Sequence, residues 1–359
     1  MHKARKARRT LSLALAAALV LTVAGCSEKT SPSSAGQDVP SQSAPDPDQD
    51  RQVTGHIVVY TSEPQDLVTD MLEDFRAKYP GITYDLFRSG SGAVISKLDA
   101  EMEAGGTEAD VVWIADIGYL TRLDEEGLIH HYTPAAAAGL DPRFNYNDGM
   151  AWEVRQIFNV IACNTLKNTA DITDWADLAD PSLNGRFAMA NPSYSGGAFT
   201  TLVGLTQTQG LGWELFEAYK QNNMKFEQSN GNLQTKVSSG EYAAVSIVDF
   251  MARSAQAEGS PVQTVWPASG AVMVPTPVAI LEREGDDRAA CQALMDYLLT
   301  EDAQRFFVAQ GYIPVDPAAG VPQGAPDLQD IRVVDLDLNT FVTQSAEIRE
   351  RFESIFGPQ

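Results

Sequence analysis

Two short runs combine hydroxyls and glycines just before an amphipathic pattern. One is Phe87-Arg88-Ser89-Gly90-Ser91-Gly92; the other is Asn191-Pro192-Ser193-Tyr194-Ser195-Gly196-Gly197. The first turn of a helix offers unpaired N–H groups and the positive end of the helix dipole, which together suit an anion. Ser91 and Ser195 would either cap their helices or donate directly to an oxyanion, with Ser89, Gly92, Gly196 and Gly197 beside them. Either loop alone reads as a capped turn; two of them at strand ends in opposing halves favour ligand contact. Three carboxylates stand at expected strand ends: Glu63 after Thr61-Ser62, Asp116, and Asp249 beside Phe250. Each could hold an ammonium group or cap the next helix. Tyr194 is the one aromatic kept for stacking on a ligand, because Tyr60, Trp113 and Trp266 fall at strand positions where aromatic rings more often belong to the core.

Catalytic patterns are scarce. The chain has no G-x-S-x-G elbow, H-E-x-x-H pair, P-loop or EF-hand spacing. Ser193 and Ser195 lack an evident histidine partner, and His130 and His131 follow a helix end. With four histidines and three cysteines there is little material for a His- or Cys-based metal centre, so no cofactor and no metal are expected. Cys163 in an apolar strand and Cys291 on a helix read as buried, unpaired thiols.

The elements that must position these residues alternate. His56 to Tyr60 is β-rich. Leu67, Val68, Met71, Leu72 and Phe75 recur at helical period until Pro80-Gly81. Ile82 to Phe87 is a second strand, Val94 to Met102 a helix, and Asp110 to Ala115 a third strand followed by a helix to Gly127. This order means βαβ units and a mainly parallel sheet, whose ligands sit beyond the C-terminal strand ends. After a crossing segment near residues 152–157 the architecture repeats, with strands at Phe158 to Cys163, Phe187 to Ala190 and Ala243 to Val248. Val278 to Leu281 returns to the first half, and two helices follow. The fold class is α/β, with two lobes, a hinge and an interlobe cleft. Lobe 1 is residues 53–155 plus about 275–330; lobe 2 is about 156–274 plus 331–359.

The first 25 residues lie outside that body. Lys3, Arg5, Lys6, Arg8 and Arg9 precede an apolar run from Leu11 to Ala24, an export signal too short to span a membrane. Val23-Ala24-Gly25-Cys26 resembles the lipobox of bacterial lipoproteins, which makes Cys26 the lipid anchor. Residues 26–52, rich in Ser, Pro, Gln and Asp, read as a flexible tether. The 359 residues carry 26 basic and 48 acidic side chains, a formal charge of −22. Removing the signal takes away its five bases and no acids. Such a chain is no general nucleic-acid binder, because phosphate contacts need a basic face.

Several segments carry a likeness. V-V-Y-T-S-E at 58–63, A-D-V-V-W-I-A-D at 109–116 and L-N-G-R-F-A-M-A-N-P at 183–192 with its following Ser-Gly-Gly are three of them. V-A-I-L at 278–281, L-L-T-E-D-A-Q-R-F at 298–306 and G-Y-I-P-V at 311–315 are the others. In this order they resemble the extracellular solute-binding proteins of ATP-driven importers, in the group with ferric-iron and 2-aminoethylphosphonate binders. The resemblance covers roughly residues 55–320. It implies a class II periplasmic-binding-protein-like fold, a monomer with no enzymatic step, and delivery of solute to a membrane permease and its ATPase. It also implies a small anionic or zwitterionic solute, an organophosphonate or phosphate ester, with Asp249 or Asp116 pairing any ammonium. Iron binders of the group place His, Glu and Tyr-Tyr where this chain has Pro64, Ala115 and Asp249-Phe250. A ferric-iron binder and an exported hydrolase are the alternative readings.

Overall fold

The computed structural model describes residues 53–357 apart from 284 and 286, and only the backbone of Leu338 and Asn339. The export signal 1–25, Cys26 and the tether 26–52 lie outside the described residues. The body opens with β1 (Thr54–Thr61), α1 (Gln65–Lys78), β2 (Gly81–Arg88), α2 (Ser91–Glu103), β3 (Val111–Trp113) and α3 (Ile117–Glu125). Pro64 stands at the entrance of α1, where its missing N–H costs nothing. The helix buries Leu67, Val68, Met71, Leu72 and Phe75. Each such side chain contributes about 1.5–3 kcal/mol of transfer free energy. β1 then pairs in parallel with β2 and with β3.

Short strands β4 (Ile129–His130), β5 (Asn145–Tyr146) and β6 (Ala151–Trp152) finish the first half. The chain crosses through β7 (Arg155–Gln156) into β8 (Phe158–Asn164), β9 (Phe187–Ala190), α4 (Gly196–Gln207), α5 (Gly212–Gln221) and β10 (Lys225–Glu227). It continues with α6 (Asn230–Ser239), β11 (Ala244–Val248), α7 (Asp249–Ala257), β12 (Val262–Val265) and β13 (Val272–Met273). It returns through β14 (Val278–Leu281), α8 (Arg288–Leu298), α9 (Glu301–Ala309) and β15 (Ile313–Pro314), and ends with α10 (Leu338–Thr343) and α11 (Ser345–Phe356).

One sheet runs β2-β1-β3-β14-β6-β5, with β4 also on β14; the other runs β10-β9-β11-β8-β12, with β13 also on β8. The expected parallel pairing is present in β2-β1-β3 and β10-β9-β11. Each sheet is nevertheless mixed, because β14 lies antiparallel to β3 and β8 antiparallel to β11. These two strands are where the chain crosses between halves, so no helix turns them round into parallel alignment. All seven residues of β8 are buried, as befits a strand with both faces covered. Cys163 lies in it, and burial pushes its thiol up to about 12, leaving it inert.

Polar side chains clamp the crossing. Gln156 Nε2 donates to Pro314 O at 2.8 Å, and Gln304 Nε2 donates to Val154 O at 2.8 Å while its Oε1 accepts from Val315 N at 2.9 Å. Glu153, fully buried, accepts from Thr276 N at 3.0 Å, from Thr276 Oγ1 at 2.9 Å and from Tyr146 OH at 3.2 Å. It thereby fastens the outgoing crossing to the returning one.

The C-terminal run, expected with lobe 2, lies against both halves. Val333 bridges Ala271, α10 packs on α3, and α11 packs on α5. The cause is α4, whose residues from Gly197 to Leu205 are all buried. A helix apolar on every side needs a cover on every side, and Phe341 supplies it, 5.3 Å from Phe199 centroid to centroid.

Burial pushes the Glu153 carboxyl from its ordinary 4.5 up to about 8, against the opposing hydrogen bonds from Thr276 and Tyr146. The native state therefore holds a proton that the unfolded chain releases, and stability falls as pH rises from about 4.5 through about 8. Glu153→Gln is expected to raise stability at pH 9 by on the order of 3 kcal/mol and to gain nothing at pH 4. Urea unfolding at both pH values measures this, and equal effects at the two would contradict a raised carboxyl.

Candidate functional site

Three helices turn their N-termini toward one gap between the sheets. α2 contributes Gly90 and Ser91, α4 contributes Ser195, Gly196 and Gly197, and α6 contributes Ser229, Asn230 and Gly231. They line a cavity of about 440 Å³ together with Ser62, Glu63 and Tyr194. Local sequence explains two of the helix starts, whereas α2 begins after Gly90 with no side-chain cap, so Ser91 does not cap it. Ser195 and Ser229 are N-caps, accepting from Ala198 N at 3.3 Å and Asn232 N at 3.2 Å. Ser62 Oγ accepts from Ala115 N at 3.2 Å. With the oxygen used as acceptor, each hydroxyl proton is left to donate elsewhere. Three hydroxyl donors and three dipole ends form an anion-seeking wall.

The floor of the cavity is Arg155. It leaves the crossing strand β7 with 1% of its surface exposed. Its guanidinium lies 4.3 Å from the Tyr312 ring centroid and 5.8 Å from that of Trp113. Nη2 pairs with the Glu63 carboxylate, whereas Nε and Nη1 have no hydrogen-bond partner among the described residues. Burial brings the guanidinium down to about 10, with Tyr312 and Asp249 opposing the shift, so it remains charged at neutral pH. Arg88 lies at the rim, donating through Nε to Glu63 O at 2.8 Å. The charged residues of the lining are Arg88, Arg155 and Glu63, so the cavity is net positive in a chain of formal charge −22.

Seven expected residues meet here: Ser62, Glu63, Ser91, Tyr194, Ser195, Gly196 and Gly197. Four stand off the lining. Ser89 extends the β2 ladder through its N–H to Thr61 O at 3.1 Å. Gly92 lies on the exposed side of the first turn of α2. Asp116 caps α3, accepting from Tyr119 N at 3.0 Å; burial raises its pKa, opposed by Tyr119 N–H and Arg349. Asp249 is fully buried as the first residue of α7, accepting from Phe158 N at 2.9 Å and from Arg253 Nη2 at 2.6 Å. Those donors occupy the Asp249 oxygens, and neither Asp249 nor Asp116 stands on the cavity lining.

Arg88, Arg155 and the 229–231 turn join the lining beyond the expected residues. Ser229-Asn230-Gly231-Asn232 before Leu233 and Val237 is the same cap-and-glycine signal as at 89–92 and was there to be found. A single base between Val154 and Ile157 in a crossing segment was the trace of Arg155. Among the described residues no three His, Cys, Asp or Glu side chains converge to hold a metal. The lining offers one carboxylate and one phenol, too few anionic oxygens for a hard Fe(III) ion. None of the described histidines lines the cavity, which leaves Ser195 without a base.

The family model for bacterial extracellular solute-binding proteins matches residues 57–313. The chain is 26% identical over 325 residues to a sulfate-binding protein of Synechococcus elongatus, covering 87% of this chain and 84% of that one. It is 22% identical over 273 residues to a sulfate-binding protein of Synechocystis, covering 70% and 69%. Among solved structures, the periplasmic binding protein AfuA of Actinobacillus pleuropneumoniae with fructose-6-phosphate bound superposes with a TM-score of 0.75 at 21% identity, covering 85% of this chain and 99% of that one. Iron-bound HitA of Pseudomonas aeruginosa gives 0.72 at 19%, covering 84% and 99%. At these identities the structures establish the fold, two α/β lobes of the periplasmic binding-protein kind.

Gly196 marks where the lobes touch. A Cβ there would stand 2.2 Å from Ala115 O at the end of β3. The opposing atom is backbone, so an added methyl must push the N-terminus of α4 away from the first lobe. Gly196→Ala is expected to weaken solute binding at least about tenfold, a loss of about 1.4 kcal/mol. Unfolding of the free protein should change by less than that. Calorimetric titration beside a thermal melt separates the two; unchanged affinity would show that this contact is not needed for binding.

Proposed function

The chain belongs to the bacterial extracellular solute-binding proteins, and we propose that its cleft captures a small organic oxyanion, an organophosphonate or a phosphate ester. As the solute-binding component of an ABC importer it binds and hands over its cargo rather than transforming it. The observation that carries the ligand reading is the convergence of three helix N-termini on a cavity floored by the buried Arg155 guanidinium. Helix N-termini and a guanidinium both favour tetrahedral oxyanions, the former through N–H donors and the latter through its planar fork.

Size supports an organic solute over a bare ion. The cavity of about 440 Å³ falls in the range of small-molecule sites, roughly 300–1,000 Å³. A tetrahedral ion is only a few water molecules in volume, each about 30 Å³. Two relatives support an oxyanion, one inorganic and one organic: the Synechococcus protein is named for sulfate, and the AfuA structure holds fructose-6-phosphate. A zwitterion such as 2-aminoethylphosphonate would find Glu63 as the one carboxylate on the lining, since Asp116 and Asp249 stand off it. Closure of the lobes about the crossing strands would seal the solute in, and ligand affinity would set how far the closed state is favoured. A lipid on Cys26 and the tether to residue 52 would hold the receptor near its permease and ATPase.

A thermal-shift panel of inorganic phosphate, sulfate, 2-aminoethylphosphonate, a phosphate monoester, Fe(III) and polyamines tests this reading. At a concentration about 1,000 times Kd a ligand adds about 4 kcal/mol of stability. The organic phosphonate or ester should give the largest shift, and Arg155→Gln should reduce its affinity at least about 100-fold. Stabilisation by polyamines or Fe(III) in place of oxyanions would refute it.

A further inference from the structure

We propose that Glu63 is a resident counter-ion that the solute must displace. The entering oxyanion takes over Arg155, and the Glu63 carboxylate transfers to Arg88. This inference rests on the oxyanion reading of the cleft.

Arg155 is the fixed partner. Its guanidinium is pinned against Tyr312, and its strand is paired to Ile313–Pro314. Glu63 lies in the connection between β1 and α1, and its carboxylate sits on Arg155 Nη2 with only 5% of its side chain exposed. The pair is electrically neutral, so an oxyanion arriving beside it would place two negative groups on one guanidinium in a site of low dielectric. Like charges at such range are costly. Removing the carboxylate turns the same guanidinium into an unpaired cation, and its Nε and Nη1 already lack hydrogen-bond partners among the described residues.

Arg88 is placed to receive the carboxylate. It is exposed, and its Nε and Nη2 donate to Glu63 O at 2.8 Å and to Ser62 O at 3.4 Å. Its guanidinium therefore runs along the stretch of main chain that carries the Glu63 side chain. The charges then close: two arginines and one glutamate line the cavity, so Glu63 on Arg88 leaves one positive charge, Arg155, for the solute. The exchange is also a filter. A monocarboxylate replaces one carboxylate with another and gains little, whereas a phosphonate or phosphate dianion brings more charge and a third oxygen for the helix N-termini.

Methylphosphonate and acetate, which share a methyl group, are suitable probes at a pH where the phosphonate is dianionic. Titration calorimetry on Glu63→Gln should show methylphosphonate bound about tenfold tighter than by the unmodified protein, with acetate becoming a measurable ligand. Arg88→Gln, at an exposed position, should weaken methylphosphonate about fivefold, and this loss should vanish when Glu63→Gln is also present. Unchanged or weaker methylphosphonate binding by Glu63→Gln overturns the exchange, as does an Arg88→Gln loss that persists in the double variant. If Glu63→Gln does not fold, Arg88→Gln alone decides: no effect on methylphosphonate overturns the proposal. Arg155→Gln separates the two levels. Affinity retained without the guanidinium refutes the oxyanion reading itself, and so does failure of every variant and the unmodified protein to bind either probe.

Discussion

A guanidinium removed from water has to be stacked, paired and held, and in this protein all three happen at the pivot between the lobes. Arg155 reaches the cavity from β7, whose partner strand β15 directly follows the ring of Tyr312 on which the guanidinium rests. The pairing of those two short strands therefore fixes the cation and its aromatic support together. The desolvation cost of such a group is several kcal/mol in real proteins, so the site tolerates it only where packing leaves no alternative. The cation sits on the crossing strand, outside both large sheets. The helix N-termini of α2 in one lobe and of α4 and α6 in the other line the cavity beside it.

The rest of the charge distribution follows from protecting that arrangement. Asp249 lies close enough to Arg155 to influence its titration, yet its oxygens are spent on Phe158 N and Arg253. Arg253 in turn donates to Gly311 O and Gln323 O, so the pair also anchors the segment leading to β15. Asp116 caps α3 under the influence of Arg349, which stacks 3.7 Å from the Phe199 ring centroid and donates to Pro192 O at 2.9 Å. Glu153 joins the two crossings. These three carboxyl groups thus serve as structural acceptors, and Glu63 is the one carboxylate on the lining.

How much of this could be read in advance depended on how local the signal was. The loops at 88–92 and 191–197 announced themselves, because a cap residue, glycines and an amphipathic run are all contiguous. The two-lobed α/β architecture was likewise legible from the alternation of strand and helix periods. Asp116 and Asp249 lie off the lining for a reason the sequence does not display: a carboxylate at a strand end and one at the start of the next helix look identical in sequence. What separates them is the distant donor, Arg253 one turn on or the Phe158 amide 91 positions away. Arg155 left only a lone base in the crossing segment as its trace, because its importance comes from Glu63, Tyr312 and Trp113, which no spacing rule connects. The placement of 331–357 across both lobes had a trace in the sequence, since the run from Ala198 to Leu205 lacks a charged face and so demanded a cover from elsewhere.

A chain of formal charge −22 whose cleft is lined by two arginines and one glutamate presents an apparent conflict, and distance resolves it. The repulsion from the body is a sum over exposed carboxylates. At physiological ionic strength it is screened beyond a Debye length of about 8 Å. Helix-terminal N–H groups and the dipole behind them act within the first turn, and the Arg155 guanidinium acts in a cavity where screening is weak. An anion outside the cleft therefore feels a modest barrier, and one inside feels chiefly the wall, the floor and the Glu63 carboxylate paired to it. That division favours discrimination over speed of encounter. The long-range field gives no special advantage to oxyanions, so retention of the proposed solute would be decided at the three helix ends and the one buried cation.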